Sequence, residues 1–221
     1  MIAARTRRGI TLPEMLTAAT LLVLTFCVVA QVLMPTAWLA SVGQSRSDVQ
    51  QGALVFIHTA RKGLLNAAPD TVTVCASPPA LSFVTISDRD PYDPVSGAPR
   101  LSPYFTVLWF DPLQGKVLTR TWPPDPPFLN GYSFTDPSRP PVLSQDDLKT
   151  IIKTGPSRVL VDHVETLRIE DANGEPNEMA VAWPLRLIIT CAARSSRPHA
   201  ADQEMERQTL STRVTPGTVR W

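Results

Sequence analysis

A long apolar run that follows a single carboxylate constrains this chain more than any other feature. Glu14 precedes Met15–Ser45, a stretch without Asp, Glu, Lys or Arg. The part from Met15 to Met34 is about the length that a helix needs to cross a bilayer, roughly 20 residues. Three arginines and no acid lie in residues 1–9, and basic flanks of a membrane segment stay in the cytoplasm. The pattern predicts a single-pass segment with its N-terminus inside and the remaining chain outside.

Two kinds of removable secretion signal also fit parts of this segment. A secretory signal would use the small residues of Val28-Val29-Ala30 for cleavage, although a carboxylate at position 14 is costly and unnecessary there. A lipoprotein signal ending at Cys27 is disfavoured, because Phe26 stands where a small residue is needed. An uncleaved signal anchor remains the simplest alternative.

The residues around the start of the run explain the carboxylate. Arg8-Gly9-Ile10-Thr11-Leu12-Pro13-Glu14-Met15-Leu16 resembles the start of a type IV prepilin or a type II secretion pseudopilin. The resemblance implies that residues 1–9 are a leader, which prepilin peptidase removes after Gly9. It also implies methylation of the new N-terminus at Ile10, where Phe is commoner in that family. Glu14 matches the family's glutamate at the fifth mature position.

A lone carboxylate in a membrane requires a partner, because an isolated charge is expensive there. In a filament of such helices, the available partner is the positively charged N-terminus of a neighbouring mature chain. Pairing of Glu14 with that amine would favour assembly and fix the axial register. Cleavage creates the amine at Ile10, removes the three leader arginines and takes the formal charge from +1 to −2.

The hydrophobic pattern predicts one long helix from about Ile10 to Ala67. Residues 10–35 form its membrane part, and residues 36–68 form an amphipathic continuation that packs under a head. Pro13 fits the first turn, whereas Pro35 is expected to kink or locally break the helix. Pro69 is expected to end it. Helical spacing identifies the packing stripe as Trp38, Val42, Val49, Ala53, Ile57, Ala60, Leu64 and Ala68.

Residues 69–221 are predicted to form a head of mostly antiparallel strands. The pattern predicts a helix over Ser144–Lys153, with Ser144 as its N-cap and two aspartates in its first turn. The turn sequence Asp111–Gly115 predicts a hairpin, and Pro184 suggests a bulge or an edge. The predicted strands are Ala80–Ser87, Tyr104–Phe110, Lys116–Trp122, Arg158–Glu170, Ala180–Arg194 and Gln208–Thr215. The predicted fold class is therefore α+β, with a pilin-like head.

A looser resemblance concerns the subtype. Val159–Ile169, followed by a later strand such as Trp183–Thr190, resembles the corresponding region of J-type minor pseudopilins and W-type minor pilins. The resemblance suggests a minor subunit, and the large head agrees with that suggestion.

The net charge and the cysteines limit which other functions are possible. A formal charge of +1 without like-charge blocks argues against nucleic acid as a direct partner. No CxxC occurs and the histidines are scattered, so no metal site is expected. Cys75 and Cys191 either form one disulfide outside the cytoplasm or stay as two buried thiols. Sequence alone cannot place their Cα atoms within bonding range.

Three further groups of residues carry side chains suited to a site. Asp88, Asp90 and Asp93 offer oxygen ligands for calcium, but their spacing fits no EF-hand and a solvated turn is the expected role. His163 between Asp162 and Glu165 is expected to be structural, because neighbours on a strand point to opposite faces. Trp109 and Phe110 are expected in the core. The Pro-rich segment Phe128–Phe134 is a candidate partner contact.

The sequence therefore predicts a structural subunit of a type IV pilus or type II secretion pseudopilus, without a cofactor and without enzymatic activity. Its expected partners are other subunits, prepilin peptidase and the assembly machinery of the inner membrane. The expected location is that membrane, with the head outside, and then the filament. The alternative is a secreted or anchored binding module of adhesin type.

Overall fold

The computed structural model describes residues 11–87, 91–95, 97, 99–122, 141–174, 181–194 and 205–216. The chain begins with helix α1, Leu12–Leu65, whose 54 residues correspond to about 80 Å. The helix ends at Leu65, with Asn66 as its C-cap, and Pro69 begins a short 3-10 turn, Pro69–Thr71. The long helix predicted from the pattern is confirmed, and it ends four residues before the expected proline.

The second half of α1 packs into the core of the head. Its buried face carries Val49, Ala53, Phe56, Ala60 and Leu64, which agrees with most of the predicted stripe. Phe56 was missing from that stripe, and Ile57 is only partly buried. A β-carbon on Gly63 would lie 2.6 Å from Cε2 of Phe83, so the helix needs glycine there.

Five antiparallel strands form the first sheet, in the order β1 to β5. Trp109 and Phe110 on the third strand are buried, as predicted. The strands are β1 (Thr73–Cys75), β2 (Ala80–Ile86), β3 (Leu101–Asp111), β4 (Lys116–Trp122) and β5 (Arg158–Val161).

The predicted hairpin joins β3 to β4. The Asp111 carboxylate accepts from the backbone N–H of Leu113 at 2.9 Å, and Gly115 adopts φ 61°, the left-handed conformation that glycine tolerates. The Gly115 carbonyl then accepts from the N–H of Val164 at 2.8 Å. The hairpin turn therefore ties the first sheet to the start of the second.

Helix α2, Gln145–Lys153, lies against β1 and begins as predicted. The Ser144 hydroxyl accepts from the backbone N–H of Asp147 at 3.1 Å, which satisfies one free donor of the first turn. At the other end, the Arg120 guanidinium donates to the carbonyls of Ile151, Thr154, Gly155 and Pro156. This arginine fixes the C-terminus of α2 to the first sheet.

The single strand predicted over Arg158–Glu170 is wrong. The chain forms β5 and then β6, Val164–Glu170, which belong to different sheets. His163 has φ 57°, a left-handed conformation that turns the chain out of the first sheet. A continuous run of strand-forming residues did not reveal this turn.

The second sheet has three antiparallel strands in the order β6, β7 and β8. Strand β7 is Leu185–Arg194 and strand β8 is Met205–Val214. Pro184 precedes β7 and lies outside it, and β7 is the central strand, so the expected bulge or edge at this proline is wrong. Helix α1 packs against β7 and β8 and contacts β5 and β2. The long helix and the antiparallel sheets confirm the α+β class.

Candidate functional site

The first turn of α1 places Glu14 against the residue that precedes the helix. Thr11 is the N-cap, with φ −81° and ψ 152°, and Glu14 is the third helical residue. The backbone N–H and the hydroxyl of Thr11 each donate to Oε2 of Glu14 at 2.9 Å. The carboxylate thus satisfies an N-terminal donor that the helix itself leaves free. Gly9 and Ile10, the residues of the predicted cleavage, lie outside the described residues.

The first half of α1 presents apolar side chains on all sides. None of its most apolar 18-residue stretch is buried, and it is the only helix among the described residues long and apolar enough to span a membrane. Large side chains such as Leu12, Phe26 and Met34 are more than two-thirds exposed. A helix that is apolar all round requires a nonaqueous environment, either lipid or other apolar helices.

Threonines in this segment bond to the helix backbone. The hydroxyls of Thr17, Thr20 and Thr25 donate to the carbonyls of Glu14, Leu16 and Leu21, at 3.0, 3.0 and 2.7 Å. Hydroxyls bonded in this way can enter hydrocarbon without an unsatisfied donor. This contribution was not predicted from the sequence, although threonine recurs in the otherwise apolar run.

The helix continues through Pro35, so a local break does not occur there. Proline supplies no N–H to the carbonyl four residues earlier. The next residue, Thr36, donates its hydroxyl to the carbonyls of Val32 and Leu33, at 3.0 and 2.9 Å. The alternative cleavage sequence Val28-Val29-Ala30 also lies within uninterrupted helix. A bend at Pro35 stays a prediction.

The sequence left two alternatives open for Cys75 and Cys191, a disulfide or two buried thiols, and the structure shows the second. Cys75 and Cys191 are both free and buried, and they belong to different sheets and different core clusters. Burial first, and then the nearby charge of Asp162, together raise the pKa of the Cys191 thiol to about 11. Cys191 is therefore a poor nucleophile and packs as a small apolar residue.

His163 lies at the exposed junction between β5 and β6. Its Nε2 is 3.8 Å from Oδ2 of Asp162, and both side chains are more than half exposed. The turn at His163 brings these neighbours together, so the expectation that they point to opposite faces is wrong. The His163 backbone carbonyl accepts from the N–H of Ala192 at 2.8 Å. This bond joins the turn that precedes β6 to β7 and gives the residue a structural role.

Two of the candidate sites fall partly or wholly outside the described residues. Asp93 is described, and it accepts from Arg100 at 3.2 Å, whereas Asp88 and Asp90 are not. Within the described part of the chain, no three His, Cys, Asp or Glu side chains form a metal-binding group. The segment Phe128–Phe134 lies entirely outside.

Comparisons of the chain with protein-family models, with curated proteins and with solved structures gave no match. The geometry itself defines the candidate site as the first half of α1. It offers an apolar surface for lipid or other helices, and one carboxylate at its amino-terminal end.

Proposed function

We propose that this chain is a structural subunit of a type IV pilus or a type II secretion pseudopilus, and a minor subunit of that assembly. The observation that carries the proposal is the division of α1. Its first half is apolar and exposed, while its second half is a core element of an α+β head. One helix can therefore join a membrane or a filament core while it holds the head rigidly outside.

The Glu14 carboxylate gives the apolar half a directional contact. Thr11 donors satisfy one of its oxygens, which reduces the cost of placing this residue at the membrane edge. The other oxygen is available to the α-amine of a neighbouring mature chain that starts at Ile10. Such a pair in low dielectric fixes the axial position of one helix against the next, although desolvation offsets part of its attraction.

The proposed partners follow from this assembly. Prepilin peptidase removes residues 1–9 and methylates Ile10, and other subunits receive α1 into a helical bundle. The subunit is anchored in the inner membrane with its head outside before it enters the filament. Machinery of that membrane supplies the force, and this subunit carries out no catalysis.

Fractionation of the native host tests the proposal. Filaments are sheared from cells with active prepilin peptidase and from cells with an inactive enzyme, and the chain is detected with an antibody against the head. We expect the chain in the filament fraction only when the peptidase is active. A soluble head released without the helix, in both strains, would contradict the proposal and favour ordinary secretion.

A further inference from the structure

The outer face of the second sheet is a regular grid of polar side chains. Strand alternation turns Leu185, Leu187 and Ile189 into the core, so the residues between them face outward. The register aligns three cross-strand rows on this outer face: Glu170–Arg186–Arg213, Arg168–Ile188–Ser211 and Thr166–Thr190–Thr209. Glu165 and Arg207 extend the same face, with Arg207 opposite Ala192.

This face has an excess of positive charge. Among the residues whose side chains the structure describes, it carries four arginines, at positions 168, 186, 207 and 213, and two glutamates, a formal charge of +2. Both glutamates are occupied: Glu165 accepts from Arg207 at 2.7 Å, and Glu170 accepts from Arg186 at 3.5 Å. These two ion pairs therefore leave two of the four guanidinium groups without a carboxylate partner on this face.

The two remaining groups, Arg168 and Arg213, flank the apolar side chain of Ile188. Among the described residues, neither arginine has an ion pair, and both are exposed. Arg213 also stands directly opposite Arg186 across the strand pair. Like charges directly opposite each other in a sheet are destabilising. A carboxylate from another molecule beside Arg213 would relieve this repulsion.

We infer that the outer face of the second sheet is a docking surface for an acidic, extended segment of another protein. Carboxylates of that segment would pair with Arg168 and Arg213, and an apolar residue between them would cover Ile188. A row of threonines continues the surface, and Thr190 and Thr209 already bond to each other at 3.0 Å. Their hydroxyls offer both donors and acceptors to a flat polar partner.

The composition of the face favours a protein over a phosphate polymer. Among the side chains that the structure describes on this face, every cation is an arginine, which pairs with carboxylates and phosphates alike, so the cations do not distinguish the two. Ile188 at the centre offers an apolar contact that a phosphate chain cannot use. This inference does not require filament assembly, and it stands or fails separately from the proposed function.

Peptide binding to the full chain in nonionic detergent tests the surface. The probe is a fluorescein-labelled peptide of alternating Glu and Val, and a Lys–Val peptide is the charge control. Fluorescence anisotropy should show saturable binding of the acidic peptide alone. In the double variant Arg168→Gln/Arg213→Gln, the affinity should fall about tenfold or more, since each lost charge-assisted hydrogen bond is substantial. The matched variant Arg61→Gln/Arg158→Gln removes two exposed arginines elsewhere and should bind like the wild type.

Inorganic polyphosphate, as a second probe, distinguishes the class of partner. Ile188→Thr should weaken the acidic peptide about threefold through lost apolar contact and leave polyphosphate binding unchanged. An equal loss in both double-arginine variants would overturn the proposal, because binding would then follow net charge alone. Insensitivity of peptide binding to Ile188→Thr would overturn the assignment of a protein partner. Unchanged peptide binding with a lowered melting midpoint in Arg168→Gln/Arg213→Gln would show that the chain's own carboxylates use these arginines, which also overturns it.

Discussion

Thr11 donates both its backbone N–H and its hydroxyl to one oxygen of the Glu14 carboxylate, each at 2.9 Å. The contact begins α1 at the edge of an apolar segment, where a lone charge is otherwise costly. Because a single oxygen receives both donors, the second oxygen remains accessible to another group. Local capping and pairing with a neighbouring chain are therefore compatible roles for the same carboxylate.

Replacement of Glu14 tests the assembly role. Glu14→Ala should leave insertion and leader cleavage intact, because the apolar run and the basic leader are unchanged. Its recovery in sheared filaments should fall about tenfold or more, the size of effect expected when one partner of a desolvated charge pair is removed. Quantitative immunoblotting of membrane and filament fractions measures both quantities.

Thr11→Val is the matched control for that experiment. It removes the hydroxyl donor and keeps the backbone N–H, so Glu14 retains its charge and one local contact. Filament recovery should stay close to that of the wild type. Equal loss in both variants would assign the effect to helix capping, and normal recovery of Glu14→Ala would remove the pairing account.

Close packing between α1 and β2 predicts an unusual response to alanine. Gly63→Ala would place a β-carbon 2.6 Å from Cε2 of buried Phe83, and overpacking of this kind costs about 1–3 kcal/mol of the free energy of unfolding. Gly43→Ala lies in the same helix with nothing within 4 Å of the added carbon. It should leave stability unchanged or raise it by about 0.5–1 kcal/mol. Thermal unfolding in detergent, followed by circular dichroism, compares the two, and equal behaviour would contradict the packing.

Two buried hydroxyls should respond differently to removal. The Thr71 hydroxyl donates to the Ala68 carbonyl at 2.7 Å and accepts from the Val84 N–H at 3.1 Å. Thr71→Val leaves both groups without this partner and should cost about 1–3 kcal/mol of the free energy of unfolding. The Ser82 hydroxyl has no partner among the described residues, so Ser82→Ala should be neutral or stabilising. Denaturant unfolding measures both variants, and a greater loss from Ser82→Ala would refute the assignment.

Titration of the Cys191 thiol should lower the stability of the folded chain at alkaline pH. Burial raises the pKa of its thiol in the folded chain from an ordinary 9.0 to about 11. Between these values the unfolded state releases a proton that the folded state keeps, so the free energy of unfolding falls as pH rises. The contribution is complete below about pH 9 and disappears as pH passes the folded value. Denaturant unfolding at several pH values should show a smaller alkaline loss in Cys191→Ala than in the wild type, and parallel curves would exclude this titration.

Local signals in the sequence predicted the elements that local chemistry decides. The N-cap at Ser144 and the turn Asp111–Gly115 each use a side chain that bonds to nearby backbone, so their position could be predicted from the residues alone. The long helix was equally clear, because apolar residues and then a helical stripe continue without interruption until the head begins.

Features that depend on tertiary structure could not be predicted from the sequence in the same way. The break at His163 depends on a left-handed backbone at a residue that is not glycine, within a run of strand-forming residues. The separation of Cys75 and Cys191 depends on which sheet each strand joins. The positions of the arginines on the outer face of the second sheet depend on the pairing register of β6, β7 and β8. The capping contact of Glu14 could have been predicted, since a threonine three residues before a glutamate is a known signal for the start of a helix.

The mass of the N-terminal peptide, from protein purified out of its native membrane, decides between filament assembly and ordinary secretion. If the chain is a pilin-type subunit, we expect a peptide that starts at Ile10 and carries one added methyl group. A peptide that starts at Gln31 would contradict it, because the chain would then be an ordinary secreted protein without the apolar half of α1.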